Sequence, residues 1–199
     1  LMNPDSFLVA DMSSDIFSKK IDVSKFGLIY AGAQKNMGPA GTTLVIVKNS
    51  ILGNTGREIP TMLDYNTHIK KESMFNTPPV FPIYVSMLTL RWLKNKGGVD
   101  YIEKINNHKA QTLYDEIDRN SLFYGIVNKD DRSNMNVTFT LNNKDLESVF
   151  DSLCNKKGLN GIKGHRSVGG YRASLYNALP LESVEVLVKT MQDLEKNNQ

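Results

Sequence analysis

One lysine stands out by its neighbours. Lys35 lies in the run Y-A-G-A-Q-K-N-M-G-P-A-G, residues 30–41, flanked by Gly32, Ala33, Gly38, Ala40 and Gly41. Small side chains let backbone and a ligand come close. A lysine amine beside a bound aldehyde can condense with it to a Schiff base, and partial desolvation favours the neutral, nucleophilic form. The plainer reading of a loop lysine is solvated surface charge, and spacing alone leaves both open.

Three further stretches carry residues able to do chemistry. Asp11 ends the apolar run Phe7–Ala10, where α/β sheets bind ligands beyond the C-terminal ends of their strands. The turn-rich Met12-Ser13-Ser14-Asp15 that follows also allows a simple capping role. Asn76-Thr77-Pro78-Pro79 is stiff, because two prolines fix φ and remove two N–H donors. It reads either as a rigid linker or as a fixed presentation of an amide and a hydroxyl. Gly164-His165-Arg166 and Tyr171-Arg172 put two arginines and a histidine on either side of Gly169-Gly170. The planar arginine fork suits carboxylate and phosphate oxygens, although a solvated hairpin would look the same.

These residues need elements to hold them. Phe7–Ala10 reads as a buried strand of a mainly parallel sheet, and residues 27–31 and 43–48 as two more strands. The loop between the latter two, which carries Lys35, has about ten residues, too few for a parallel crossover. The third strand is therefore expected antiparallel to the second, at one sheet edge. Residues 51–60 read as loop and 65–73 as exposed and polar. A helix is expected over 82–96, with Val85, Leu88, Trp92 and Leu93 on one inward stripe and Trp92 in the core. Gly97-Gly98 stops it and marks a boundary, giving expected domains at 1–98 and 99–199.

Beyond that boundary a helix over 99–119 turns Ile102, Ile105, Leu113 and Ile117 inward, and leaves His108 exposed. Residues 135–141 alternate as a half-buried strand. Residues 144–156 form an amphipathic helix carrying Leu146, Val149, Phe150 and Leu153, ended by Gly158. A strand region follows over 161–175, then a final helix over 181–196. Strand, helix, strand, helix suggests a small α+β domain.

Composition narrows the function classes. The 199 residues are 40% apolar and 23% charged, as in ordinary soluble globular proteins. A net charge of +3, without a basic stripe interleaved with aromatics, argues against a nucleic-acid partner. Apolar runs fall short of membrane-spanning length, which argues against a membrane partner. The single cysteine, Cys154, excludes an internal disulfide, fits a reducing cytoplasm, and reads as apolar filling of a helix. No metal-ligand spacing appears, so no metal is expected.

The stretches A-G-A-Q-K-N-M-G-P-A-G, V-A-D-M-S-S-D, F-N-T-P-P-V-F-P-I-Y and G-H-R-S-V-G-G-Y-R-A-S together resemble the phosphoserine aminotransferase family. It belongs to the class V aminotransferases, which depend on pyridoxal 5'-phosphate and have fold type I. The four stretches occur in the family's order and span most of the chain. The resemblance covers only the family's C-terminal half or slightly more, so the sequence reads as a fragment: the C-terminal part of a large cofactor-binding domain (1–98) and a small α+β domain (99–199). A piece lacking the ring-stacking and phosphate-cup residues of the other half is expected to be inactive alone.

What the resemblance implies about residues is specific. Lys35 would carry the cofactor and shuttle the proton. Asp11 would pair with the pyridine nitrogen, and Gln34 would lie near the cofactor phosphate. Asn76 and Thr77 would reach the cofactor phosphate of the other subunit in a homodimer with shared active sites. Arg172 would grip the substrate α-carboxylate, and His165 with Arg166 the distal phosphate or side-chain carboxylate. The implied reaction passes the amino group of glutamate to 3-phosphohydroxypyruvate, giving O-phosphoserine in the cytoplasm. 4-Phosphohydroxythreonine, in pyridoxine biosynthesis, stays open as a second substrate. Two rivals remain at this level: another class V enzyme such as a cysteine desulfurase, and a non-enzymatic module in which Lys35 is incidental.

Overall fold

The computed structural model describes residues 6–198. The chain divides into two compact units, residues 1–98 and 99–199.

In the first unit, β1 (Val9–Asp11) pairs in parallel with β2 (Leu28–Gly32), which pairs antiparallel with β3 (Thr43–Val47), in the order β1-β2-β3. The ten-residue argument holds: a loop that short returns the chain antiparallel, and Lys35 sits on it. After β1 the chain makes one helical turn, with Ile16 N donating to Met12 O at 2.8 Å. Met12 and Ile16 thereby reach a small core with Ile29, Ala31, Ala33 and Met37. Helix α1 (Tyr65–Lys70) is capped by Asp64, whose carboxylate accepts from Asn66 N. Helix α2 (Val80–Asn95) starts from Pro79. It tolerates Pro82 because the first turn has no intrahelical partner for that N–H.

Two expectations fail in this unit. Phe7, Leu8 and Val9 are exposed rather than buried. Trp92 is 37% exposed and Leu88 42% exposed, while Ser86 and Leu93 are the buried residues of α2. Of the expected stripe, Leu93 is buried and Val85 half-buried, while Leu88 and Trp92 face outward, because the apolar residues of this helix are spread round its surface.

In the second unit, α3 (Gly98–Arg119) packs Ala110, Leu113, Tyr114 and Ile117 into a core shared with an antiparallel sheet. That sheet has the order β4 (Phe123–Gly125), β5 (Asn136–Leu141), β6 (Tyr171–Ser174). Every second residue of β5 is buried: Val137, Phe139 and Leu141. Phe123, Phe139, Phe150 and Tyr171 meet edge-on or stacked, with centroids 5.0–6.4 Å apart, geometries that aromatic quadrupoles favour. Helices α4 (Glu147–Lys156) and α5 (Leu181–Lys196) complete the unit. Cys154 is buried on α4, and burial pushes its thiol up to about 11, which keeps it an apolar filler.

Here too the structure corrects details. The strand expected over 161–175 shrinks to Tyr171–Ser174, with one bridge from Lys163 to Tyr171. Gly169 and Gly170 take φ of +77° and +63°, and the chain folds back so that Gly164 N meets Gly170 O at 2.8 Å. The turn replaces ladder pairing, as left-handed glycines dictate. Val149 is 44% exposed rather than inward. The short β4 was missed in the sequence, since three residues are too few to display a period.

Candidate active site

The candidate site of the first unit is built on the ends of β1 and β2. Asp11 closes β1, and its register partner is Tyr30. The Asp11 carboxylate accepts from Ser13 N at 2.9 Å and Ser13 Oγ at 2.6 Å. These two bonds, then Tyr30 and the Lys35 charge, hold it below the ordinary carboxylate range although it is exposed. Ser13 Oγ also accepts from Gly32 N at 3.0 Å, which ties the aspartate's holder to the end of β2.

Lys35 is half-buried, and its Nζ donates to Ser14 Oγ at 2.7 Å. Its loop is wound tightly on one carbonyl: Ala33 O accepts from the backbone N–H of Lys35, Met37 and Gly38 at 2.7–3.1 Å. Ala33 N in turn donates to Thr42 O at 2.9 Å and closes the loop. Beside Lys35, Asn36 is buried and donates through Nδ2 to Ile16 O at 3.0 Å and Ser14 O at 3.4 Å. The glycines matter for contact. A Cβ on Gly32 would lie 2.4 Å from Gln34 Oε1, so the Gln34 amide rests on that residue. A Cβ on Gly38 would lie 2.8 Å from Ser86 Oγ, and one on Gly41, at φ +114°, 2.9 Å from Pro82 Cγ. The lysine loop is thus seated directly on α2.

The structure therefore brings Asp11, Lys35 and Gln34 to one end of the first sheet. Asn76 and Thr77 lie in the exposed segment entering α2, and Asn76 Nδ2 donates to its neighbour's carbonyl, Thr77 O, at 3.1 Å. In the second unit His165 and Arg166 are exposed in the turn before β6, with His165 Nδ1 2.7 Å from Ser167 Oγ. They line an open cavity of about 390 Å³ that also holds Glu147, Asp151, Lys163 and Tyr171. Lys163 pairs with Asp151 at 2.7 Å, and Tyr171 Oη reaches the same carboxylate at 3.1 Å. Arg172 points to the other face of β6 and lines a separate cavity of about 250 Å³. His165 with Arg166 and Arg172 are thus not gathered into one cavity of this unit.

Sequence reasoning passed over Ser13 and Ser14 as turn residues. Only their place after a strand-ending aspartate hinted otherwise; their bonds to Asp11 and Lys35 are formed by the fold.

Comparison with known proteins shows the family. The family described as aminotransferase class-V matches residues 2–187. The chain is 70% identical over 188 residues to the phosphoserine aminotransferase of Flavobacterium psychrophilum, covering 94% of this chain and 53% of that protein. The solved phosphoserine aminotransferase of Bacillus circulans subsp. alkalophilus superposes with a TM-score of 0.93 at 45% identity, over 98% of this chain and 54% of that one. The phosphoserine aminotransferase of Trichomonas vaginalis, solved with pyridoxal phosphate bound, gives 0.87 at 36% identity, over 96% and 55%. The chain spans about half the length of the curated relatives it matches. With the family model matched over residues 2–187, the chain belongs to the class-V aminotransferase family.

Proposed function

We propose that the intact polypeptide is a phosphoserine aminotransferase, transferring the amino group of L-glutamate to 3-phosphohydroxypyruvate to give O-phospho-L-serine and 2-oxoglutarate. One observation carries this: an ionised carboxylate, Asp11, and a half-buried amine, Lys35, are fixed at one end of neighbouring parallel strands by consecutive hydroxyls. The donor set fits pyridoxal 5'-phosphate. Lys35 would hold it covalently through Nζ, Asp11 would face the pyridine nitrogen, and Gln34 would lie by the phosphate. Asn76 and Thr77, on their stiff exposed segment, would serve the phosphate of a second subunit in a cytoplasmic homodimer. His165 with Arg166, and Arg172, would take the substrate's anionic groups. When bound, the cofactor supplies an electron sink for the charge left at the substrate Cα.

The chain's own residues do the rest. Ser13 keeps Asp11 ionised by donating two hydrogen bonds to it. A carboxylate there keeps a facing ring nitrogen protonated, which strengthens the sink. Lys35 Nζ, once free, would take the proton from the substrate Cα as base and, as acid, deliver it to the cofactor's C4′. The names of the relatives and the 70% identity support the choice of substrates. Borohydride reduction of the full-length polypeptide with pyridoxal phosphate, followed by peptide mapping, is expected to label the peptide containing Lys35 and no peptide of Lys35→Ala. A label on another residue, or none, overturns the reading.

A further inference from the structure

We propose that Ser14 is a positioning residue for the Lys35 amine, a role that rests on the imine-forming reading of Lys35. The observation is a side-chain bond across 21 residues of sequence: Lys35 Nζ donates to Ser14 Oγ at 2.7 Å. A lysine stem has four rotatable bonds, and fixing its end costs rotamer freedom. Something must hold that end if the amine is to meet a reacting atom in one geometry.

Ser14 is itself anchored. Its carbonyl accepts from Asn36 Nδ2, and the same amide donates to Ile16 O. Asn36 is buried and is the chain neighbour of Lys35, so the turn bearing the hydroxyl and the loop bearing the amine are stitched together beside the amine. Met12 and Ile16, at either end of the turn, are core residues. The hydroxyl therefore stands on a fixed base rather than on a mobile loop.

The chemistry follows from the donor count. A neutral lysine amine has two N–H bonds and one lone pair. With one N–H directed at Ser14 Oγ, the lone pair must point away from Ser14, and nucleophilic attack or proton abstraction uses that lone pair. After the amine takes up a proton, the ammonium still donates to the same oxygen, so the partner serves both protonation states. Ser13 and Ser14 thus divide the work: one hydroxyl orients the carboxylate of Asp11 and the next orients the amine of Lys35.

The test uses the full-length polypeptide as wild type, Ser14→Ala, Ser14→Thr and Lys35→Ala. Misplacing a reacting group by about 1 Å lowers rates on the order of 100-fold, so losing one of several restraints in Ser14→Ala is expected to slow capture of pyridoxal phosphate, and to lower kcat, roughly 10-fold. KM for glutamate should change by less than about 2-fold, since Ser14 orients the amine and does not bind the substrate. Ser14→Thr, which keeps the hydroxyl, should restore both rates to within about 3-fold. A second readout needs no cofactor: trinitrobenzenesulfonate labelling with peptide mapping. Freed from its acceptor, Lys35 should label several-fold faster in Ser14→Ala, with Lys25 and Lys48 unchanged and Ser14→Thr matching wild type. The proposal falls if Lys35 labels at the wild-type rate in Ser14→Ala, if labelling rises at all three lysines, or if threonine fails to rescue. Continued cofactor capture by Lys35→Ala would instead sink the proposed function, while the labelling arm still judges Ser14.

Discussion

The two units hold their shape by different means. Residues 99–199 bury a contiguous core in which four aromatic rings interlock under α3, α4 and α5. Their buried charges are satisfied in place: Lys109 donates to the carbonyls of Leu175, Tyr176 and Leu179 at 2.9–3.1 Å. Glu116 and Glu195 share Arg119, at 2.6 and 2.8 Å. Residues 6–98 bury a far smaller core and leave Val80, Phe81 and Leu63 about two-thirds exposed or more. Yet the lysine loop belongs to this thinly packed unit. Its geometry comes from short hydrogen bonds to consecutive serines and from glycines pressed onto α2, so the reactive groups are placed by local stitching rather than by bulk burial.

That contrast can be broken where packing is densest. Phe150→Ala removes a fully buried ring from the centre of the aromatic cluster. A loss of about 3–5 kcal/mol is expected for a truncation of this kind. Urea denaturation followed by far-UV circular dichroism measures it, and a loss below about 1.5 kcal/mol would mean that the second unit is not held by this core.

Lys109 sharpens the same side of the comparison. Burial lowers its ammonium to about 8, from an ordinary lysine value of 10.5. The unfolded chain therefore binds this proton more tightly than the folded chain. The resulting penalty is fully present below about pH 8 and fades as pH rises toward 10.5. Across that window wild type should gain stability relative to Lys109→Met, by on the order of 1–3 kcal/mol. Denaturation of both proteins at several pH values gives the difference; a flat difference contradicts the linkage.

A further stability effect is expected in the first unit. Gly38→Ala would place a methyl 2.8 Å from Ser86 Oγ and 3.2–3.3 Å from the Ser86 backbone, which cannot swing aside. A cost of about 1–3 kcal/mol is expected for such overpacking, together with slower borohydride-trapped labelling of Lys35. A neutral Gly38→Ala would show that the loop does not depend on its seat against α2.

Much of this arrangement was legible beforehand. The period-2 alternation over 135–141, the amphipathic pattern over 144–156 and the short loop around Lys35 each gave the right element. The errors came where local pattern meets distant partners. Trp92 looked inward because large aromatics usually bury, but α2 seats its small residue, Ser86, on the lysine loop instead. Nothing in the local pattern marks Lys109 as buried, because its carbonyl partners lie 66–70 residues later in the chain.

The sequence by itself determined the chemical parts: a lysine among glycines, an aspartate ending a strand, stiff prolines after Asn76-Thr77, and arginines on either side of a double glycine. Residue type and short spacing suffice for that, because helix, strand and turn preferences act over a few residues. Tertiary structure alone decided which hydroxyl meets which charge. The bonds from Gly32 to Ser13 and from Lys35 to Ser14 close over 19 and 21 residues, and contacts at that range exist only once β1 and β2 have paired in register.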